Sequence, residues 1–237
     1  MFLASLPIAP QEVIRARRRV PAGGGTTWSI AHQALVSNNQ TSGVARSLTY
    51  TTTAAATTIE VACAFYGGDT NSITSITDNA TGGSSTWQTS GAGSRGHNSS
   101  VNGASEIWYS YIKSGATTAT INLASTSSVF AYFYELNGIA TASPVDIVNN
   151  QTNVTGSGTN QPGASITTTV TGDFIVGCDA PDLGSISGVS SGYTADSTAS
   201  GVGFTHFTST AATAAAHQVT YTGTSSGDHY ETSDAAF

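Results

Sequence analysis

Apolar residues recur at every second position in short blocks along most of this chain. Ile59, Val61, Cys63 and Phe65 alternate with Glu60, Ala62 and Ala64, and Ile107, Tyr109 and Tyr111 alternate with Trp108 and Ser110. Ile121 and Leu123 follow, then the aromatic run Val129 to Tyr134. A period of two places alternate side chains on opposite faces of a pleated strand. Clusters of Gly, Asn, Ser and Pro separate the blocks, and no stretch sustains a helical period with caps. Regular short strands divided by turn residues predict an all-β protein, a sandwich or barrel.

The order of the strands repeats. Ile59–Cys63 corresponds to Phe174–Cys178 with the cysteines aligned, and Ile73–Ile76 to Ile186–Val189. Ile107–Tyr109 corresponds to the aromatic strand Phe204–Phe207. At one constant offset Ile121–Leu123 then matches Val219–Tyr221, Thr126–Ser128 matches Thr224–Ser226, and Tyr132 matches Tyr230. The pattern predicts a jelly-roll-like β-sandwich with an internal duplication over residues 26–237, its pseudo-repeats at about 44–137 and 163–237. Each half must bury an apolar face, and the simplest arrangement packs the halves on each other, with Cys63 and Cys178 in related core positions. Two small tandem sandwiches, joined through the Gly/Asn-rich stretch 149–163, are the other arrangement.

Residues 1–25 are of a different kind. An apolar start with Phe2, Leu3, Leu6 and Ile8, broken by Pro7 and Pro10, leads to Arg15, Arg17, Arg18 and Arg19 and then to Gly23–Gly25. The segment reads as an extended N-terminal arm that needs a partner surface, since a helix of about ten residues is marginal alone. The arginines follow the apolar run instead of preceding it, so the start is not expected to act as a signal peptide.

Composition narrows the function classes. Charged residues make up 9% of the 237 and hydrophobic ones 38%, against roughly 25% charged in an ordinary soluble domain. Thr and Ser fill the difference, and β-branched Thr suits a pleated surface with its hydroxyl in water. From residue 20 onward three basic residues face thirteen acidic ones, a net charge of −10. Such a body is unsuited to nucleic acid or to an anionic membrane surface, each of which must be met by positive charge.

Candidate chemistry is sparse. Gly91–Gly96 matches GxGxxG but precedes no helix that could present its N-terminus to a phosphate. The five histidines lack ligand spacing, no GxSxG or HExxH is present, and no enzyme is expected. Cys63 and Cys178 read as buried thiols. No cofactor is expected beyond calcium, for which the acidic loops with Asp69 and Asn71, and with Asp179 and Asp182, are the candidates. Asn39, Asn79, Asn98, Asn150 and Asn153 open N-x-[ST] triplets that composition alone supplies. Trp87, Trp108 and Tyr193 are candidates for stacking on sugars. Trp108, in a strongly alternating strand, reads as core, which leaves Trp87 as the glycan contact.

Thr58–Cys63, Ile73–Thr81, Ser105–Tyr111 and Gly115–Leu123 together resemble the Thr/Ser/Gly-rich β-sandwich surface proteins of tailed phage virions, of the capsid decoration or tail appendage type. The resemblance spans most of residues 44–237, excludes the arm, and carries over no functional residue. It implies a virion structural protein, a capsid decoration or cement protein assembled in the host cytoplasm and displayed on the virion surface. In that setting Phe2, Leu3, Leu6 and Ile8 would fill apolar grooves, and Arg15, Arg17, Arg18 and Arg19 would meet acidic surface on the major capsid or another virion protein. Lattice neighbours or a homo-oligomer are the expected partners. A glycan-binding adhesin or tail-fibre module, recognising host surface glycans near Trp87, is the alternative.

Overall fold

The computed structural model describes residues 28–38, 45–49, 59–100, 102–111, 116–140, 142–181, 184–198, 201–208 and 215–237. The arm of residues 1–25, with its apolar and arginine positions, lies outside them, as do Asn39 and Asp182. The described chain is all-β and antiparallel. Its first half holds β1 (Ser29–Asn38), β2 (Ala45–Thr49), β3 (Ile59–Gly67), β4 (Ile73–Asp78), β5 (Thr86–Thr89), β6 (Arg95–Asn98), β7 (Gly103–Tyr111), β8 (Thr118–Leu123) and β9 (Val129–Asn137). The second holds β10 (Ile147–Thr155), β11 (Asn160–Pro162), β12 (Ile166–Thr167), β13 (Ile175–Pro181), β14 (Ile186–Val189), β15 (Tyr193–Ser197), β16 (Gly203–Phe207), β17 (Ala216–His217), β18 (Thr220–Gly223) and β19 (His229–Ala236).

Strand pairing repeats between the halves. The large sheet of the first half runs β1-β9-β3-β7-β5, with β6 also on β7, and that of the second runs β10-β19-β13-β16-β15. The small sheets run β2-β8-β4 and β11-β18-β14, and β12-β17 is an addition of the second half. Equivalent strands therefore begin at Ser29 and Ile147, earlier than the expected 44 and 163. The stretch 149–163, the connection of the tandem arrangement, instead holds most of the edge strand β10, which pairs with β19, and all of β11. Its backbone bonds hold β10 in the sheet, with Ile147 and Val148 at its start packed against the cores.

Register corrects the equivalences read at one constant offset. Cys63 lies opposite Ile107 and Tyr132, and Cys178 lies opposite Phe204 and Ser233. Tyr132 is thus equivalent to Ser233, not to Tyr230. Ile76 pairs with Ile121 and Val189 with Tyr221, so Ile121 matches Tyr221. Loop lengths differ between the halves, and residue identity in so Thr/Ser-rich a chain could not reveal the shift.

The halves neither share one two-sheet core nor stand as separate tandem units. Each makes its own sandwich from a large and a small sheet, and the two large sheets pack face to face, giving four layers. The central core joins Ile59, Val61, Cys63, Ile107, Tyr134 and Leu136 to Phe174, Val176, Cys178, Phe204, Ala235 and Phe237. The outer core of the first half holds Ala62, Ala64, Tyr66, Ile76, Trp87, Trp108, Ile121 and Phe133. Both faces of β3 are therefore covered, and its first six residues are all buried. The alternation in the sequence separates two interiors, a large-residue face toward the other half and an Ala-rich face toward the small sheet.

Beyond the apolar centre the halves touch through polar backbone. Gly96 N–H donates to Ser233 Oγ at 3.0 Å, and Ser233 Oγ lies 2.9 Å from Ser105 Oγ. Asn98 Nδ2 donates to the carbonyls of Tyr230 at 2.8 Å and Val154 at 3.3 Å. A Cβ on Gly96 would run into the Thr232 carbonyl and lie 2.7 Å from that of Gln151. Backbone offers no side-chain rotamer by which to yield, so the glycine is what permits the approach. Gly96→Ala is expected to cost about 1–3 kcal/mol of unfolding free energy in urea titration, the range for overpacking. Gly188→Ala, with open space around its Cβ, is expected to be close to neutral in the same measurement.

Candidate functional site

The structure redistributes the residues singled out by the sequence. Trp87 is 8% exposed, its ring lies edge-on to Phe133 at 6.1 Å, and its indole N–H donates to Asp78 Oδ2 at 3.0 Å. It is a core residue with its polar edge satisfied, and its face is closed to a sugar, which corrects the expected glycan contact. The physical reason is the small sheet of the first half: Ile73, Ile76 and Ile121 from it cover the face of β5 that carries Trp87, where a loop-flanked strand would otherwise be exposed. Trp108 is also buried. Tyr193 is half-buried against Phe207, with ring centroids 5.2 Å apart.

Asp78 is fastened by this contact. Burial pushes its carboxyl up, but the N–H groups of Ser85 at 2.9 Å and Ala80 at 3.1 Å, with the Trp87 indole, hold it below the usual carboxylate value. Hydrogen bonds to the charged form outweigh the desolvation.

The acidic loops do not form a matched pair. Asn71 spends its amide on its own loop, donating to the carbonyls of Gly67 and Ser125 at 3.1 Å and accepting from Ser72 and Ser125 N–H. Arg95 reaches the backbone carbonyls of Asp69 and Asn71 and the Tyr66 hydroxyl. Asp179 belongs to β13 and is fully buried. Among the described residues no group of three His, Cys, Asp or Glu side chains could hold a metal ion. The GxGxxG stretch makes a turn closed by Ser94 N–H on Gly91 O at 3.0 Å and then enters β6. Asn98, at the head of one glycosylation triplet, is buried and bound across the halves.

Cys63 and Cys178 are both free thiols at full burial in the central core. Burial, and then the adjacent Cys178 thiol, push the Cys63 thiol well above its ordinary value. A group held as thiol is a poor nucleophile.

Two clusters were not legible in the sequence. The first joins the halves at the edge of the central core. His206 Nδ1 lies 2.8 and 2.9 Å from the two oxygens of Asp196, and the Tyr134 hydroxyl of the first half donates to Asp196 Oδ2 at 2.6 Å. Phe174 stacks on the imidazole at 5.8 Å, Trp28 meets it edge-on at 6.2 Å, and the Trp28 indole donates to Asp173 O at 3.2 Å. Burial and then the Asp196 charge raise the Tyr134 hydroxyl well above its ordinary value. Asp196 and His206 sit on neighbouring strands of one hairpin, a signal available only with the register in hand. The imidazole is oriented as in an acid–base dyad, yet its ring neighbours are aromatic, and the group acts as a clasp between halves.

The second cluster is a set of buried acids in the outer core of the second half. Asp179 and Asp234 occupy strand positions equivalent to Ala64 and Phe133 of the first half. Burial raises Asp234 to about 8 against bonds from Ala164 N–H and Thr232 that lower it. Burial, and then the charge of Glu231, push Asp179 well above its ordinary value.

Two substitutions test these assignments. Trp87→Ala is expected to remove about 3–5 kcal/mol of stability in chemical denaturation, the cost of emptying a large aromatic site. A surface platform would lose well under 1 kcal/mol. Tyr134→Phe deletes one bond to a carboxylate and is expected to cost about 1–3 kcal/mol, with the far-ultraviolet spectrum unchanged.

Comparison of the chain with protein-family models, with characterised proteins and with solved structures gave no match.

Proposed function

We propose that this chain is a structural surface module of a virion, a capsid decoration or cement protein held to its shell by the N-terminal arm. The observation that carries the reading is where the chain spends its large sheets. Each has one face against the other half and one face against a small sheet or its neighbouring strands. What remains for partners is loops, edges and the outer faces of the small sheets. On β4 the outward positions include Thr74 and Thr77, and on β8 they are Thr118, Thr120 and Asn122. An uncharged hydroxyl face can approach identical neighbours without the repulsion that a charged one meets.

The reading of each half as a jelly roll is supported by strand order. With the eight shared strands numbered along the chain, the large sheet runs 1-8-3-6-5 and the small sheet 2-7-4 in both halves. A body of this kind is rigid, and attachment falls to the arm. Phe2, Leu3, Leu6 and Ile8 supply apolar contact, while Arg15, Arg17, Arg18 and Arg19 match an acidic capsid surface. Repetition over a lattice multiplies a weak contact into lasting occupancy.

The test is co-sedimentation of the chain with purified tailed-phage shells lacking it, followed by immunogold labelling. Full-length chain is expected to label the shell evenly. Removal of residues 1–25 is expected to cut bound protein at least tenfold, about 1.4 kcal/mol or more of affinity, while the thermal transition is kept. Label confined to a tail tip, or equal binding without the arm, overturns the proposal.

A further inference from the structure

The duplication supplies an internal control for the buried acids. In the first half, Ala62 lies between Phe133 and Trp108, and Ala64 lies beside Ala131. In the second half the same register positions hold Gly177 between Asp234 and Thr205, and Asp179 beside Thr232. At these positions apolar side chains are exchanged for polar ones, while the first half's own buried acid, Glu106 opposite Ala64, is bonded by the Tyr66 hydroxyl and Ile73 N–H. Tyr221 and Asp234 fill the space left by the missing side chains: a Cβ on Gly177 would lie 2.6 Å from the Tyr221 hydroxyl and would collide with Asp234 Oδ1.

Two carboxyls in such a place need protons or a counter-charge. Asp179 is 0% exposed, and no hydrogen bond of normal geometry reaches either of its oxygens, although the Ala180 N–H lies near enough to offset part of its desolvation. Asp234 is 3% exposed and is bonded by Ala164 N–H at 2.8 Å and by the Thr232 hydroxyl. The groups around them are acidic or neutral on every packed element. From β19 come Tyr230, Thr232 and, on its opposite face, Glu231. From β16 comes Thr205, from β15 Tyr193, from β18 Tyr221 and from β17 His217. Gln161 of β11 donates to Asp228 at 3.3 Å, and Cys178 is the remaining acid nearby. Burial lowers His217, which favours its neutral form. Among the described side chains Arg95 is the one arginine or lysine, and it is bound in the first half.

We propose that Asp179 and Asp234 form a proton-binding pair inside the second sandwich, which is held closed while both are protonated and loosens as they ionise. Between the buried acids and the first half lie the central core and its aromatic clasp, so the loosening is confined to the second half. The direction follows from linkage. A carboxyl whose folded value is raised stabilises the fold fully below the unfolded value of 3.8 and loses that contribution as pH rises through the folded value, about 8 for Asp234. The window set by Asp234 is therefore pH 4 to about 8, and Asp179, raised by burial, acts in the same direction. In the first half Asp78, held low, works in the opposite sense, and Glu106, raised by burial, in the same sense, which is why the variants and not the unaltered profile alone carry the test.

The test is calorimetric unfolding of the full chain from pH 5 to pH 9, for the unaltered protein, for Asp179→Asn with Asp234→Asn, and for Asp234→Asn alone. The unaltered chain is expected to lose about 5 °C or more of its midpoint across the range. The double variant is expected to lose less than half as much, with Asp234→Asn between the two. Parallel profiles overturn the proposal, and so does recovery of the alkaline midpoint by added calcium, which would make a cation the natural occupant. Should the double variant fail to fold, the infrared carbonyl stretch of protonated carboxyl groups decides the matter on the unaltered chain. The band is expected at pH 6 and is expected to fade by pH 10, and its absence at pH 6 overturns the proposal.

Discussion

Excluding water from between two large sheets, one from each half, orders the rest of this molecule. Each large sheet turns a row of large apolar side chains toward the other, with Cys63 and Cys178 in equivalent places and Phe174, Phe204, Tyr132 and Tyr134 around them. Apolar burial of this kind is the dominant favourable contribution to folding. It also covers a sheet face that an isolated sandwich would leave in water. Once that face is closed, each large sheet must find a second cover for its other side, and the small sheets supply it. The close backbone approach at Gly96, the Ser105–Ser233 contact and the Asn98 bonds are consequences of the same contact, because polar groups enclosed beside an apolar core need partners.

The two halves share strand order but not chemistry. In the first, the outer core is mainly apolar and its carboxyls sit where donors reach them: N–H groups at Asp78, and the Tyr66 hydroxyl and Ile73 N–H at Glu106. In the second, Asp179, Asp234, Thr205 and Thr232 occupy the corresponding strand positions, and tyrosines fill the room that glycines leave. Such a core is sustained by the neutral forms of its acids, whereas the first is sustained by area. A duplicated scaffold thus carries buried acids in both halves: Glu106 of the first is raised by burial but bonded by Tyr66 and Ile73, whereas Asp179 of the second has no such partner. The shared central core joins the two halves without making them equal.

A surface role and this construction support each other. On the proposed reading, threonine-rich outer faces and a body with few charges would leave association to shape, to the arm and to repetition on a lattice. The aromatic side chains that a sugar site would expose are here drawn inward: Trp87 and Trp108 into the first outer core, Trp28 and Tyr134 against the clasp.

From the sequence alone, the all-β class, the division into short antiparallel strands and the existence of a duplication were legible. Alternation of period two and glycine-marked turns are local properties, and the pairs Cys63/Cys178, Ile73/Ile186 and Ile107/Phe204 proved to be equivalent in register. The later equivalences were not legible, because loops of unequal length move the register while a Thr/Ser-rich composition makes false matches easy. Nor could the sequence tell which face of an alternating strand meets water. In β3 neither does, since Ala62 and Ala64 line a second interior. The burial of Trp87, the meeting of Asp196, His206 and Tyr134, and the enclosure of Asp179 with Asp234 were decided only in the tertiary structure. Each depends on strands distant in the chain being brought together, and on which layers cover which faces.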